Sequence, residues 1–392
     1  MLAACAPISG PAAPKPTTTT TTVPSVPAST KTLVVIEMAG GHDGYSMLIP
    51  YQNATYYQLR PTVSVPAAQV ISLAGQPFGL HPNLVKLHSR NLAFIQGVGA
   101  SNSDDSHFDM IARWWEADTD GAHSSATGFF GRLCDAAASP SAPAGGIAVS
   151  WRTTPALVSS SSVTLAMPPD SNGQYPAPSN QPALNAWMVA QRAMATTNGG
   201  DTVAQAAGRT GLANALTFSD AIVDLSAANP AYPSTGLGQQ LSLAARLIKT
   251  SIGTKVLYVP WDGDFDTHSA HRTNHDALMT ELDDALDAFL GDMDAAGHGS
   301  DVLVASISEF GRRAAQNTDG LDHGTTSVMF LAGAANGGIY GQSPNWSALD
   351  ANGNLVSPIS LADYYATLAN WLGVTPSSVL PVSGNPIAGV VS

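Results

Sequence analysis

Charge is what this chain of 392 residues has least of. Only 11% of its residues are Asp, Glu, Lys or Arg, less than half the ~25% of an ordinary soluble protein. Ser, Thr, Asn, Gly and Ala take their place, a composition suited to an exported protein. Basic residues are the scarcer sign: 16 Lys and Arg stand against 29 Asp and Glu, for a net charge of −13. Without a basic surface to displace phosphate counterions, nucleic-acid binding is excluded. The acidic balance is compatible with holding cations. Cysteine is almost absent. Cys5 and Cys134 alone exclude a disulfide framework and a Cys-ligated structural zinc site. No apolar run approaches the ~18 residues of a membrane span. The 44% hydrophobic content is nevertheless ample for a large core.

The first residues, MLAAC, have the form of a lipobox, the Leu-Ala-Ala-Cys end of a bacterial lipoprotein signal peptide, with no basic and apolar regions ahead of it. Residues 6–31 are rich in Pro and Thr and have no periodicity, which predicts an extended, disordered stalk. Together they predict a bacterial lipoprotein, secreted to the periplasm or cell surface, whose one membrane contact is a lipid on Cys5. A plain disordered N-terminus is the simpler reading.

From Thr32 to the C-terminus a single α/β domain is expected. Strands are predicted at 32–38, 92–99, 146–150, 255–261, 301–308 and 327–333. Helices are expected at 54–60, at 82–90 with Pro82 in its first turn, and at 107–118, 127–138, 237–252, 274–293 and 359–373. The Asp-rich face of 274–293 reads as solvated. Residues 151–235, with Ser runs, Pro-rich patches and two helical stretches near 182–197 and 211–227, read as an insertion or cap. The alternation predicts a doubly wound, mostly parallel sheet covered on both faces. In such sheets ligands lie beyond the carboxyl ends of the strands.

Those ends carry carboxylates and imidazoles in five segments. After 32–38 comes GGHDG with His42 and Asp43, either a turn or a metal-ligand pair. It lacks the spacing of a dinucleotide site. After 92–99 comes DDSHFD, opening a helix. Ser106 there is either an ordinary N-cap or a nucleophile in the positive field of the helix terminus, and His107 follows it. After 255–261 comes DGDFDTH, with Asp264 and Asp266 four and two residues before His268, ligand types that suit a divalent ion. After 301–308 come Glu309 and Arg312; a carboxylate on so apolar a strand needs a cation beside it. Before 327–333 comes DHG, with Asp322 and His323. His81 precedes a Pro, so its backbone is extended. His88, His271, His275 and His298 read as ordinary or surface side chains. Jointly the five segments predict a metal site, most simply zinc, with calcium, magnesium or manganese as alternatives.

The order VVIEMAGGHDG, YYQLRP, FGLHP, SHFD, GFFGRL, FDTH, SEFGRR, DHG, YYATLANWLG resembles a family of exported bacterial proteins long described as a domain of unknown function and labelled sulfatase-like. The resemblance runs from residue 32 to 375 and is poor over 151–235. That family is similar to the alkaline phosphatase and sulfatase superfamily. The resemblance therefore implies a doubly wound α/β sheet with a two-metal site at the strand ends. By motif it implies Asp43 as a ligand, Ser106 as nucleophile, and Asp264 or, in the FDTH core, Asp266 with His268 on one metal. Glu309 stands for the carboxylate of an Asp-His pair, and His323 is the last ligand. The His of that pair is Phe310 here. This departure leaves either one metal or a second site completed by His42, His81 or His107. The implied reaction is attack of the Ser106 hydroxyl, made acidic by an adjacent metal, on the phosphorus or sulfur of a small-molecule or polysaccharide ester. His107 or Arg312 would bind the non-bridging oxygens. Two other readings stand beside this hydrolase. One is a non-catalytic surface protein of the same fold that binds a glycan or a partner; the other is an amidase or other hydrolase using metal-activated water.

Overall fold

The computed structural model describes residues 30–392 apart from 101, 124, 140–141, 172–179 and 223–224. The expected stalk, except for its last two residues, and Cys5 lie outside the described residues.

The segment TLVVIEM forms the strand Thr32–Met38, buried along its whole length. A run apolar on both faces is what a central strand of a covered sheet requires. It pairs in parallel with Val256–Trp261 on one side and Val302–Ile307 on the other, with Met38 opposite Trp261 and Glu37 opposite Ile307. Among the described residues the central sheet has nine strands. From one edge the order is Gly338–Gly341, Ala93–Gly99, Thr326–Gly333, Val302–Ile307, Thr32–Met38, Val256–Trp261, Gly146–Ala148, Thr164–Ala166, with Ile359–Ser360 also paired to Ala93–Gly99. All pairings are parallel except those of Thr326–Gly333, which is antiparallel to both neighbours. The carboxyl ends of the parallel strands and the amino end of Thr326–Gly333 therefore share one edge. A second, three-stranded sheet is formed by Leu48–Ile49, Gly79–Leu80 and Ile71–Ser72.

Strand alternation divides the core into two layers. Val34, Ile36 and Met38 join one, with Leu241 and Leu247 of the helix Gly236–Lys249 and Leu282, Leu286 and Phe289 of His271–Ala295. Leu33 and Val35 join the other. There Trp114 of His107–Glu116, Phe130 of Phe129–Ala137 and Tyr365 of Leu361–Trp371 cover the sheet. The doubly wound, mostly parallel α/β architecture is thus as the sequence predicts.

Local differences have local causes. Residues 82–90 form turns and a single 3-10 turn, Leu87–Ser89, instead of a helix. The backbone N–H groups of Lys86 and Leu87 donate to Asp283 at 2.8–3.1 Å, so tertiary acceptors replace helical ones. Asp283 is consequently buried, an exception on the Asp-rich face. The second helix of the 151–235 stretch begins early, at Val203, because Thr202 and Gln205 form a capping box. That stretch is not wholly inserted: it also supplies the edge strand Thr164–Ala166. No helix among the described residues is long and apolar enough to cross a membrane.

Candidate functional site

The shared edge brings four of the five segments together. Thr326–Gly333 starts there, so His323 just before it meets the loop after Val256–Trp261, which carries Asp266 and His268. The helix that follows Ala93–Gly99 begins at His107, capped by Ser106, whose hydroxyl accepts the Asp109 N–H at 3.4 Å. The ligand atoms of His107, Asp266 and His323 all lie within 4.8 Å of one another. His268 joins them, its Nε2 2.8 Å from His323 Nε2 and 3.1 Å from Asp266 Oδ1. His323 Nε2 is 3.2 Å from that same oxygen, and His107 Nε2 is 3.5 Å from Asp266 Oδ2.

The tautomers follow from the partners. Facing only oxygen acceptors, each Nδ1 must carry the proton: His323 Nδ1 donates to the Asp105 carbonyl at 2.7 Å, His107 Nδ1 to Glu309 Oε1 at 2.9 Å and His268 Nδ1 to Asp322 Oδ1 at 3.1 Å. In the neutral rings each Nε2 then presents a lone pair toward Asp266, His268 from the side of His323. His107 Nε2 is buried with no hydrogen-bond partner. Two nitrogen lone pairs facing at 2.8 Å repel unless a cation lies against both. Oxygen acceptors behind each ring are also how metal-ligating imidazoles are held. The donor set of His107, Asp266 and His323 fits a divalent metal, with His268 against two of the three. Ligands ~2.0–2.2 Å from a tetrahedral ion lie ~3.3 Å apart, near the 3.1, 3.2 and 3.5 Å that separate Asp266 from the three imidazoles.

Arg312 positions the carboxylate. Its side chain is fully buried, and Nη2 donates to Asp266 Oδ1 at 2.8 Å. Its remaining contacts run to the carbonyls of Gly41 at 2.7 Å, Leu321 at 2.9 Å, Phe265 at 3.0 Å and Gly40. Partial burial would raise the Asp266 carboxyl pKa, but Arg312, His268 and His107 together outweigh it and the group sits below the usual carboxylate range. The hydrogen bond to Glu309 raises His107, ahead of burial, which opposes it.

The glycine pair of GGHDG serves this loop. Gly40 has φ +112, and a Cβ there would lie 2.5 Å from the Asp266 nitrogen. Its own N–H donates to Glu309 Oε1 at 2.8 Å. A side chain would push the Asp266 backbone away.

Not every expected residue reaches the cluster. Asp43 bonds Arg60 at 2.6 Å and accepts the Ser46 hydroxyl at 2.6 Å, all three groups buried. Burial alone would raise its pKa, yet Arg60 and His271 hold it at about 2. Asp43 thus has a buried cation as its partner instead of the Asp266 cluster. His42 neither faces solvent nor replaces the ligand lost at Phe310. It is buried, with its ring 5.0 Å from Phe265 and 5.5 Å from His275. His81 Nε2 is 2.7 Å from Asp276. Asp264 is exposed and makes no hydrogen bond or ion pair to the cluster. Glu309 and Asp322 stand behind His107 and His268. Arg312, its side chain enclosed by backbone, is turned away from solvent and cannot reach a substrate's oxygens. Phe310 packs against His107 and His323 at 4.8 and 4.4 Å, filling the place the resemblance gives to a second imidazole.

The surface reading of His271 and His275 is overturned: both are buried. They belong to the long helix, which starts at His271, before the predicted 274, and they continue its buried stripe of Leu278, Leu282, Leu286 and Phe289 toward the N-terminus at i, i+3/i+4 spacing. Both ring nitrogens of His42 and of His275 lack partners among the described residues. Glu116, Asp118 and His123 form a second group with ligand atoms within 4.8 Å. There the imidazole already meets Asp109 at 2.9 Å and Glu116 at 3.3 Å. The loop DTDGAH was the sequence signal for it.

Fold and site together define an α/β protein with an imidazole–carboxylate cluster, fit for a metal, at the carboxyl edge of its sheet. The chain belongs to the family described as Protein of unknown function (DUF1501), whose model matches residues 93–387. No curated protein matches it. Among solved structures, it is similar to the C-terminal periplasmic domain of EptC from Escherichia coli in complex with zinc, at 14% identity over 92% of each chain with a TM-score of 0.40. It is similar also to a phosphonate monoester hydrolase of Agrobacterium radiobacter, at 11% identity over 89% of this chain and 77% of that one, TM-score 0.39. A protein in the alkaline phosphatase superfamily from Vibrio parahaemolyticus matches at 11% identity over 89% and 69%, TM-score 0.40.

Proposed function

We propose that the protein is a metal-dependent hydrolase of phosphate or sulfate esters. The observation that carries this reading is the set of His107, Asp266 and His323 ligand atoms within 4.8 Å of one another, each ring held from behind by an oxygen, with His268 against two of them. Asp266, His268 and His323 hold the metal, and His107 completes the set. A donor set richer in imidazole nitrogen than in oxygen favours zinc over the hard, oxygen-seeking calcium and magnesium. When bound, the metal supplies positive charge that stabilises anionic oxygens and acidifies a nearby hydroxyl.

Ser106 is the nucleophile of this reading. The residues on both sides of it touch His323: the Asp105 carbonyl accepts its Nδ1–H, and the His107 ring lies edge-on at 4.4 Å. In the reaction the Ser106 hydroxyl loses its proton to solvent and Oγ bonds phosphorus or sulfur. The ester bond breaks and its oxygen leaves, protonated by water. A water molecule then displaces Ser106 Oγ, which regains a proton. Because Phe310 fills the second imidazole's place, the site holds one metal. The Pro/Thr-rich start supports export with a lipid on Cys5, testable as fatty-acid labelling lost in Cys5→Ser.

Metal analysis and a panel of aryl phosphates and sulfates, with zinc, manganese, magnesium or calcium added, test the function. Turnover should need metal. Ser106→Ala should abolish turnover while keeping the metal. A fully active Ser106→Ala enzyme means attack by metal-activated water, the reading that the serine's role as helix cap favours. A purified protein that binds no metal sinks both.

A further inference from the structure

We infer that Arg313, the neighbour of the buried Arg312, is the residue that grips the anionic group of the substrate; the inference rests on the ester-hydrolase reading above. The two arginines share a loop and do opposite things. Arg312 is enclosed, with contacts to four carbonyls and Asp266. Arg313 keeps 38% of its side chain exposed. Its Nε donates to the His323 carbonyl at 3.2 Å, which anchors the guanidinium beside the metal cluster. Its Nη2 is 3.8 Å from Asp105 Oδ2, too far for a hydrogen bond. Among the described residues neither Nη1 nor Nη2 has a hydrogen-bond partner.

A planar fork of donors, held at one end and open at the other, is the shape that binds two oxygens of a tetrahedral anion. Its location is specific. His323 is a metal ligand and Asp105 directly precedes Ser106, so the open end of the fork faces the segment that presents the nucleophile. The Asp105 carboxylate, 3.8 Å away, is the nearest internal competitor for that end, and Asp322 and Asp350 also feel the charge of Arg313. A phosphate or sulfate monoester carries oxygens enough to meet the metal and Arg313 at once, whereas a neutral ester or amide does not. Arg313 therefore selects anionic substrates.

Inorganic phosphate and inorganic sulfate are the probes, titrated by calorimetry into zinc-loaded wild type, Arg313→Gln, Arg313→Lys and Asp105→Asn. Asn tolerates the positive φ of 60° at position 105. Phosphate should bind at least about tenfold more weakly to Arg313→Gln, because a charge-assisted bidentate contact is lost. Arg313→Lys should fall between that variant and wild type. Asp105→Asn should bind more tightly than wild type, since the nearest competing carboxylate is gone. Zinc content and thermal midpoint should stay the same throughout. In turnover, Arg313→Gln should raise KM for an aryl phosphate more than it lowers kcat. Equal phosphate affinity in wild type and Arg313→Gln overturns the inference, as does a wild type that binds neither anion. A wild type that binds phosphate through Arg313 yet hydrolyses no ester leaves this inference standing and removes the hydrolase reading alone.

Discussion

His268 and His323 face each other through their Nε2 atoms at 2.8 Å, both with Nδ1 committed to an oxygen acceptor. Such a pair is held together by a proton on one Nε2 or by a metal ion bound to both. Metal should therefore raise the folding stability measurably. A ligand at 100 times its Kd adds ~2.7 kcal/mol by mass action, several degrees in thermal midpoint. Chelator should reverse the shift. His268→Ala should remove it, and an unchanged zinc-induced shift in that variant means the metal lies elsewhere.

Asp322 acts on the metal through His268. Its carboxylate holds the ring's Nδ1–H at 3.1 Å and is itself held by Asn317 Nδ2 at 3.1 Å. The Asn317 bond, ahead of the opposing effect of burial, keeps its pKa below the usual range. Removing such an outer partner costs ~10–100-fold in metal affinity. Asp322→Ala should show that loss in a competition titration with a fluorescent chelator. Its circular dichroism spectrum should match wild type. Wild-type affinity in the variant would show that the second hydrogen bond does not orient the ring.

Gly40→Ala tests the close approach of two loops. The added Cβ meets the Asp266 and Phe265 nitrogens at 2.5 and 2.7 Å, and the φ of +112 is one that side chains rarely adopt. Backbone strain of this kind costs ~1–3 kcal/mol, before any displacement of Asp266. Urea unfolding should show at least that loss, together with weaker zinc binding. Losing stability while zinc affinity stays intact would separate Gly40 from the placement of Asp266.

The buried histidines set the acid limit. Burial lowers His42 to about 3 and His271 to about 4, and puts His275 well below its ordinary value. In the unfolded chain each titrates near ~6.5. Below that pH the unfolded state binds protons that the folded state refuses, so stability falls as pH drops from about 6.5 toward 4. Each such group contributes ~1.4 kcal/mol per pH unit in the steep part of the range. Asp43, held at about 2, is displaced in the same direction but acts at lower pH. Its contribution is complete above the ordinary carboxylate value of ~3.9 and is lost only as pH falls toward 2. Denaturant titrations of chelator-treated protein from pH 7 to 4 should show this decline. His275→Phe should reduce the slope by about one proton. An equal slope in wild type and His275→Phe would mean that His275 is already protonated in the folded state.

Much of this was legible in the chain itself. Unbroken apolar runs such as TLVVIEM can only be central strands of a covered sheet, and their alternation with amphipathic helices permits few other architectures. Carboxylates and imidazoles recurring after those strands marked the edge on which the site lies, because every parallel strand ends on the same side. Asp266, His268 and His323 could be named for that reason. The sequence by itself determined the edge of the sheet on which these loops lie.

Only the tertiary structure decided what each polar side chain does there. Asp43 and Asp266 look alike in sequence, each beside a His after a strand. Arg60, brought from a separate helix, pairs with one, and Arg312 with four backbone carbonyls behind it aims the other. Neighbouring Arg312 and Arg313 are identical in type, yet one is enclosed and one is open. His271 and His275 read as surface because they are polar, although their spacing from Leu278 and Leu282 places them on the buried face. Each of the other outcomes depends on a buried charge or lone pair finding a partner far away in the chain. Partners of that kind leave no local pattern, since hydrogen bonding and ion pairing act over a few ångströms of space, whatever the separation along the sequence.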